Sequence, residues 1–316
     1  MSIATDDYVS IRPDINRDAW GRPLVMPPDG GNPTAYTRCT TYVGAIEDTY
    51  NLSRWQMRMV ALGLADRPDL LLSVASHRDD KKKLNKDCDD ALEAAKAHAA
   101  ATTGTALHAL CERIDLQQAI GAVPADYMAD LAAYTAATAA LKPVLVEQFC
   151  VLDHLKIGGT PDRVVEYEGK RYIADLKTGS IDYGYLKIAA QLAVYSRATP
   201  YDVLKGERLT PHGAELDKGI IVHLPAGTGR CDLYWVDLLA GWEAVLVCKS
   251  IRDKRSIPKK RIVAPLDTPQ PALNLAASIT KCLTAEAVRT LWRKHASEWT
   301  DDLTAIAKAH IATLPF

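Results

Sequence analysis

One stretch, GGTPDRVVEYEGKRYIADLKTG at residues 158–179, constrains this chain more than any other, because its register follows from its turn. Two runs rich in β-branched and aromatic residues flank Glu168-Gly169, the pattern of a hairpin closed by a two-residue loop. With that loop Tyr167 faces Lys170, and every cross-strand pair sums to 337. Val164 then faces Ile173 and Val165 faces Tyr172, apolar against apolar on both faces of the ribbon. The same register sets Asp162 directly opposite Asp175.

Opposed carboxylates with Cβ atoms about 4.5–5.5 Å apart repel each other, and a divalent cation between them is the natural remedy. Lys177 lies two positions beyond Asp175, so it shares that face roughly 7 Å along the strand. An ammonium there can hold an attacking water or stabilise charge developing on a phosphoryl group. All-oxygen ligands suit Mg²⁺ or Mn²⁺. The D-x-K spacing alone is weak, since Asp79/Lys81, Asp80/Lys82 and Glu168/Lys170 share it. Asp162 in register strengthens it, as do Gly158-Gly159 and Thr178-Gly179, expected to leave the backbone uncovered.

Around this hairpin the chain reads as a globular protein of 316 residues, 48% hydrophobic and 24% charged. Residues 1–38 contain five prolines and Asp29-Gly30-Gly31, which reads as an extended arm. Helical spacing runs from Thr40 to about Ala101, broken at Arg67-Pro68. A helix capped at Thr102-Thr103 is expected through Leu116, and an Ala-rich one from Asp126 to Leu141. Then EQFCVLDH (147–154), 160–167 and 170–177 read as three consecutive antiparallel strands. A helix at 183–198, a hairpin formed by 219–226 and 230–238, and a helix over 240–253 follow. Prolines 258, 265, 269 and 271 lead into a C-terminal helical segment, where Val288, Leu291, His295 and Trp299 form a stripe. This divides the chain into an arm (1–38), a domain at 39–265 with a helical part at 39–142 and a core at about 100–255, and a segment at 266–316.

Several classes are excluded by what is missing. No apolar run approaches the roughly 20 residues of a membrane span, and the N-terminus carries acids where a secretory signal has lysines, so a cytoplasmic location is expected. The seven cysteines stand at least 17 positions apart, which predicts reduced, buried thiols and no iron–sulfur cluster. P-loop, HExxH and GxSxG motifs are absent, which predicts no nucleotide cofactor.

Four ordered elements resemble the RecB-type nucleases of the PD-(D/E)xK superfamily, in particular phage-encoded exonucleases related to CRISPR-associated RecB-like nucleases. They are Gly104-Thr105-Ala106-Leu107-His108, Gly159-Thr160-Pro161-Asp162, Asp175-Leu176-Lys177-Thr178-Gly179 and Gln191-Leu192-Ala193-Val194-Tyr195. The resemblance implies an α/β, restriction-endonuclease-like core with a mixed central sheet, a helical N-terminal wrap and a C-terminal helical segment. It implies a metal-dependent DNA exonuclease of phage recombination, replication or processing, acting in the bacterial host cytoplasm and partnered by a single-strand annealing or other recombination protein. By the same resemblance His108, Asp162 and Asp175 ligate metal, Lys177 is the catalytic lysine, and Gln191 with Tyr195 form the RecB-type motif. The grouped cysteines of the iron–sulfur branch are missing here.

Helical spacing adds further candidates. Glu112 is i,i+4 from His108 and is a further candidate ligand, while Lys187, Gln191 and Tyr195 share a helix face. Glu147 is either a supporting group or a surface strand residue. The net charge of −1 demands a local basic surface for DNA, and KSIRDKRSIPKKR supplies Lys249, Arg252, Lys254, Arg255, Lys259, Lys260 and Arg261. Tyr183 and Tyr185 are placed to stack on bases of a single strand or to pack internally. Three rivals stand beside the exonuclease: a structure-specific endonuclease of the same fold, a catalytically silent DNA- or protein-binding module, and a structural protein whose hairpin acids are incidental.

Overall fold

The computed structural model describes residues 15–264 and 273–314. The expected arm before residue 15 and the proline-rich linker around Pro265, Pro269 and Pro271 lie outside the described residues. Prolines hold the start of the chain to two-residue strands, β1 (Leu24–Val25), β2 (Thr34–Ala35) and β3 (Thr37–Arg38). Helices α1 (Cys39–Val43), α2 (Tyr50–Asp66), α3 (Pro68–Ser76) and α4 (Lys81–Ala94) follow, with Pro68 at the first turn of α3, where its missing N–H costs nothing. Next come α5 (Ala99–Asp115) and α6 (Ala125–Thr138). Helix α5 begins earlier than expected, because Thr102 and Thr105 bond back to the His98 and Ala101 carbonyls from inside the helix and cap nothing.

The three consecutive strands expected at 147–177 are the main correction. The strand that joins the hairpin is β4 (Lys142–Val146), which the proline at 143 disguises. Pro143 fits because β4 is an edge strand, and the pairing slips there, between Pro143 and Leu145. The EQFCVLDH segment turns away as β5 (Cys150–Leu152), pairs with β6 (Ile157–Gly159), and joins a different sheet. The hairpin itself, β7 (Arg163–Tyr167) and β8 (Lys170–Lys177), has the expected register from Tyr167↔Lys170 to Arg163↔Ala174, with positive φ at Glu168 and Gly169.

After α7 (Tyr185–Arg197), strands β9 (Thr199–Asp202) and β10 (Glu207–Arg208) complete the second sheet, ordered β10-β9-β5-β6-β3. Strands β11 (Lys218–His223) and β12 (Asp232–Asp237) complete the first, ordered β12-β11-β8-β7-β4 and antiparallel except for β8 with β11. Helix α8 (Leu238–Arg255) ends the unit. Alternation in β7 and β8 sends Val164 and Ile173 toward α1, α7 and α8, and Val165, Tyr172, Ala174 and Leu176 toward α5 and α6. The architecture is mixed α/β with two mixed five-stranded sheets and many helices, consistent with the expected α/β core.

The chain forms two compact units, Met1–Arg255 and Ser256–Phe316. The second holds α9 (Leu275–Ile279), α10 (Ala285–Lys294) and α11 (Asp301–Thr313) around Ile279, Val288 and Ala307. Of the expected stripe, Val288, Leu291 and Trp299 enter that core, while His295 lies at the end of α10 against Glu298. The expectation of uniformly buried thiols is corrected: Cys39, Cys111, Cys150 and Cys248 are buried, but Cys88 is exposed and Cys231 and Cys282 are half-buried. Among the described residues no helix is long and apolar enough to cross a membrane.

Candidate active site

Where the β7/β8 ladder ends at Arg163↔Ala174, the next position belongs to the two acids. Regular pairing gives way there to a side-chain bond: Asp162 Oδ2 accepts the Leu176 N–H at 2.7 Å, while the Asp162 carbonyl accepts from Glu147 N–H at 2.9 Å. Those two bonds fix Asp162 beyond the edge of the ladder, on the side of β8 that carries Asp175. Asp175 is 2% exposed, and its carboxyl is pushed up to about 6, first by burial and then by repulsion from Asp162, against the pull of Lys177. Its Oδ2 is sealed from solvent and paired with the Lys177 ammonium.

His108 reaches the same point from α5, with Nδ1 3.6 Å from Asp162 Oδ2. Burial lowers the imidazole pKa more than the Asp162 charge raises it, which favours the neutral ring. Glu112 and Glu147 line, with His108, a cavity of about 560 Å³ whose other walls are the small residues Ala101, Gly104, Thr105, Ala109, Thr178 and Gly179.

Tyr195 comes from α7 and is 3% exposed; burial first, then Cys39, Asp175 and Asp162, raise its hydroxyl well above the ordinary range. The Gly158-Gly159 pair is not bare, as expected, but filled from both sides. A Cβ on Gly159 would meet the Tyr195 hydroxyl at 2.7 Å, and one on Gly158 would meet the Phe149 ring at 2.8 Å. Gly179 is open as expected, whereas Thr178 lies against Gly104 of α5. Gln191 is half-buried on the same helix as Tyr195. Cys39, at the start of α1, escaped sequence reasoning, since nothing local ties it to Tyr195.

The expected three-ligand set does not close. Among the described residues no group of three or more His, Cys, Asp or Glu side chains converges as a metal cage would. The reason is local: Lys177 neutralises Asp175, and Leu176 occupies one Asp162 oxygen. A hard cation such as Mg²⁺ needs no closed cage, because it keeps several waters and takes one or two protein carboxylates. Asp175 and the neighbouring Asp162, two carboxylates close enough to repel, therefore fit such an ion.

Behind the acids lies a cluster the sequence reading missed. Arg163, buried between α5 and α6, pairs through Nε with Asp115 Oδ2 at 3.0 Å, and Asp115 Oδ1 accepts the Tyr134 hydroxyl at 2.6 Å. Two signals were available: an arginine beside Asp162 at the start of the strand, next to Val164-Val165, and an acid seven positions after His108, on the same helix face.

The residues of the expected basic surface differ in their surroundings. Lys187 pairs with Glu47 at 2.6 Å, Lys249 with Asp253 at 2.7 Å, and the Arg252 guanidinium sits over the Tyr42 ring while donating to Thr37. Long cationic side chains near acids and rings satisfy themselves locally. Lys254 and Arg255 remain exposed in the first unit, and Lys259, Lys260 and Arg261 are exposed in the second.

The site sets two carboxylates and a lysine at the end of a central hairpin in a mixed α/β fold. Residues 80–214 match the family model of the PD-(D/E)XK nuclease superfamily, which supports that superfamily for the segment carrying His108, Asp162, Asp175, Lys177, Gln191 and Tyr195. The match implies a nuclease of the hydrolase class with DNA as substrate, and such nucleases generally use divalent metal ions. No curated protein matches the chain. Among solved structures, the crystal structure of SSO0001 aligns with 44% of this chain and 68% of its own at 16% identity and a TM-score of 0.25, a likeness too low to carry an argument.

Proposed function

We propose that this chain is a metal-dependent DNA exonuclease of the RecB type, using Mg²⁺ or Mn²⁺ and serving phage DNA recombination, replication or processing in the host cytoplasm. The observation that carries the nuclease reading is Asp175, a buried carboxylate beside Asp162 with the Lys177 ammonium paired to it. Exonuclease is preferred to structure-specific endonuclease on the resemblance of the four ordered motifs to phage-encoded exonucleases.

In this reading Asp162 and Asp175 hold the ion and His108 lies alongside, with Glu112 on the same helix face. The bound ion would supply Lewis-acid polarisation of the phosphoryl group and a more acidic water. Lys177 orients the attacking water and donates to a phosphoryl oxygen as charge builds on it. Tyr195 holds α7 against Gly159 and closes the floor behind Asp175, and Gln191 presents an amide one turn nearer the start of α7. Water adds in line to phosphorus and the 3′-oxygen departs. The intact acid–acid–lysine set speaks against a silent binding module, which has no use for two acids held together, one of them buried. A recombination protein is the proposed partner.

The test is incubation of end-labelled linear DNA and closed circles, single- and double-stranded, with Mg²⁺, Mn²⁺ or EDTA. Loss of linear DNA only, abolished by EDTA and in Asp175→Ala and Lys177→Ala, is expected. Cutting of circles establishes the endonuclease instead, and an inert protein that binds DNA establishes the silent module.

A further inference from the structure

We propose that Tyr183 and Tyr185 form a stacking platform for unpaired bases of the strand held at the Asp162–Asp175 site; the inference rests on the nuclease reading and narrows its substrate to single-stranded or frayed ends. Helix α7 is buried from Ile188 to Ser196 apart from Gln191, yet residues 182–186 just before are an unbroken exposed run. That run holds Tyr183, 87% exposed, and Tyr185, 70% exposed, six and eight positions after Lys177. Among the described residues neither ring belongs to a hydrophobic core.

The segment carrying them is rooted next to the candidate lysine. The Lys177 and Thr178 carbonyls accept from Leu224 N–H at 2.8 Å and Ala226 N–H at 3.1 Å, and His223 Nε2 donates to the Gly179 carbonyl at 3.0 Å. Ser180 donates to Asp182 at 2.9 Å. Gly184, at φ +81° with no atom within 4 Å of where a Cβ would stand, turns the chain between the two rings.

Charge decides which part of a nucleic acid this surface suits. Lys187 is neutralised by Glu47, and Asp182 adds a carboxylate beside the rings, so among the described residues of this run backbone phosphates find no free cation. Uncharged aromatic faces take bases instead, and a base offers a free face only where it is unpaired or terminal.

The experiment measures binding of the full chain, in EDTA, to a fluorescent single-stranded oligonucleotide and a blunt duplex, for wild type, Tyr183→Ala, Tyr185→Ala and the Trp substitutions. Single-strand affinity should fall roughly tenfold for each Ala substitution and be kept by Trp, as base–aromatic stacking demands. Blunt-duplex affinity should hold within about twofold, and the slope of affinity against salt should not change, because no phosphate contact is lost. Equal losses on both DNAs, or none, overturn the platform; unchanged DNA binding points the rings toward a protein partner. Cleavage by wild type in Mg²⁺, run alongside, separates the two failures: cleavage with indifferent tyrosines removes only the platform, and absent cleavage removes the nuclease reading.

Discussion

Asp175 pays for its position. Burial raises its pKa, so in the absence of a cation the charge is a liability that Lys177 offsets only in part. Asp175→Asn should therefore melt above wild type in EDTA while losing roughly 10²–10³-fold in kcat, a split read by thermal denaturation and single-turnover cleavage. Added Mg²⁺ should raise the melting temperature of wild type and leave Asp162→Ala unmoved. A second residue-scale consequence concerns His212, buried under the end of α7. Its Nδ1 accepts from Ala214 N–H at 3.1 Å and its Nε2 donates to the Tyr195 carbonyl at 3.0 Å, so a second ring proton would meet a donor head-on. Burial lowers its pKa below the unfolded value of about 6.5. The stabilisation is complete above that unfolded value and is lost as pH falls through the folded one. Stability of wild type should decline below about pH 6.5 more steeply than that of His212→Gln, measured by urea denaturation across pH.

At the scale of elements, the site depends on how α5 meets β7. The Asp115–Arg163 pair and Tyr134 tie the helix of His108 to the strand that follows Asp162. Arg163→Met leaves Asp115 buried and unpaired and should cost about 3–5 kcal/mol, whereas Asp115→Leu with Arg163→Met should recover most of it, both read by chemical denaturation. Helices α7 and α8 meet so closely that a Cβ on Gly241 would lie 2.3 Å from the Ala189 carbonyl oxygen. Gly241→Ala should lower stability by about 1–3 kcal/mol in the same measurement. The hairpin register was legible because a two-residue turn and alternating apolar residues are local signals. Strand β4 was not, because Pro143 argues against a strand unless the strand is known to lie at an edge. The fate of EQFCVLDH was equally hidden, since strand-like composition does not say which of two sheets a strand joins.

For the whole molecule, the net charge of −1 directs attention to one basic run. Folding divides that run between two units and commits Lys249 and Arg252 to partners inside the first. Ion pairing of this kind depends on which acids and rings arrive from distant sequence, and no single run of residues reports it. The Tyr195–Cys39–Gly159 contact was hidden for the same reason, its members coming from α7, α1 and β6. The β7/β8 hairpin has a consequence for how such a chain can change over time. Its tip, Glu168-Gly169, is exposed, with nothing within 4 Å of a side chain at Gly169. Added residues at the tip lengthen a loop and leave the ladder below untouched. A single-residue insertion or deletion within β8 between Tyr172 and Asp175 exchanges inside for outside, carrying Asp175 and Lys177 to the α5 and α6 side. Length variation among descendants of this chain should accordingly gather at the tip, which is also the point at which a tag or a foreign domain can be spliced without disturbing the acids.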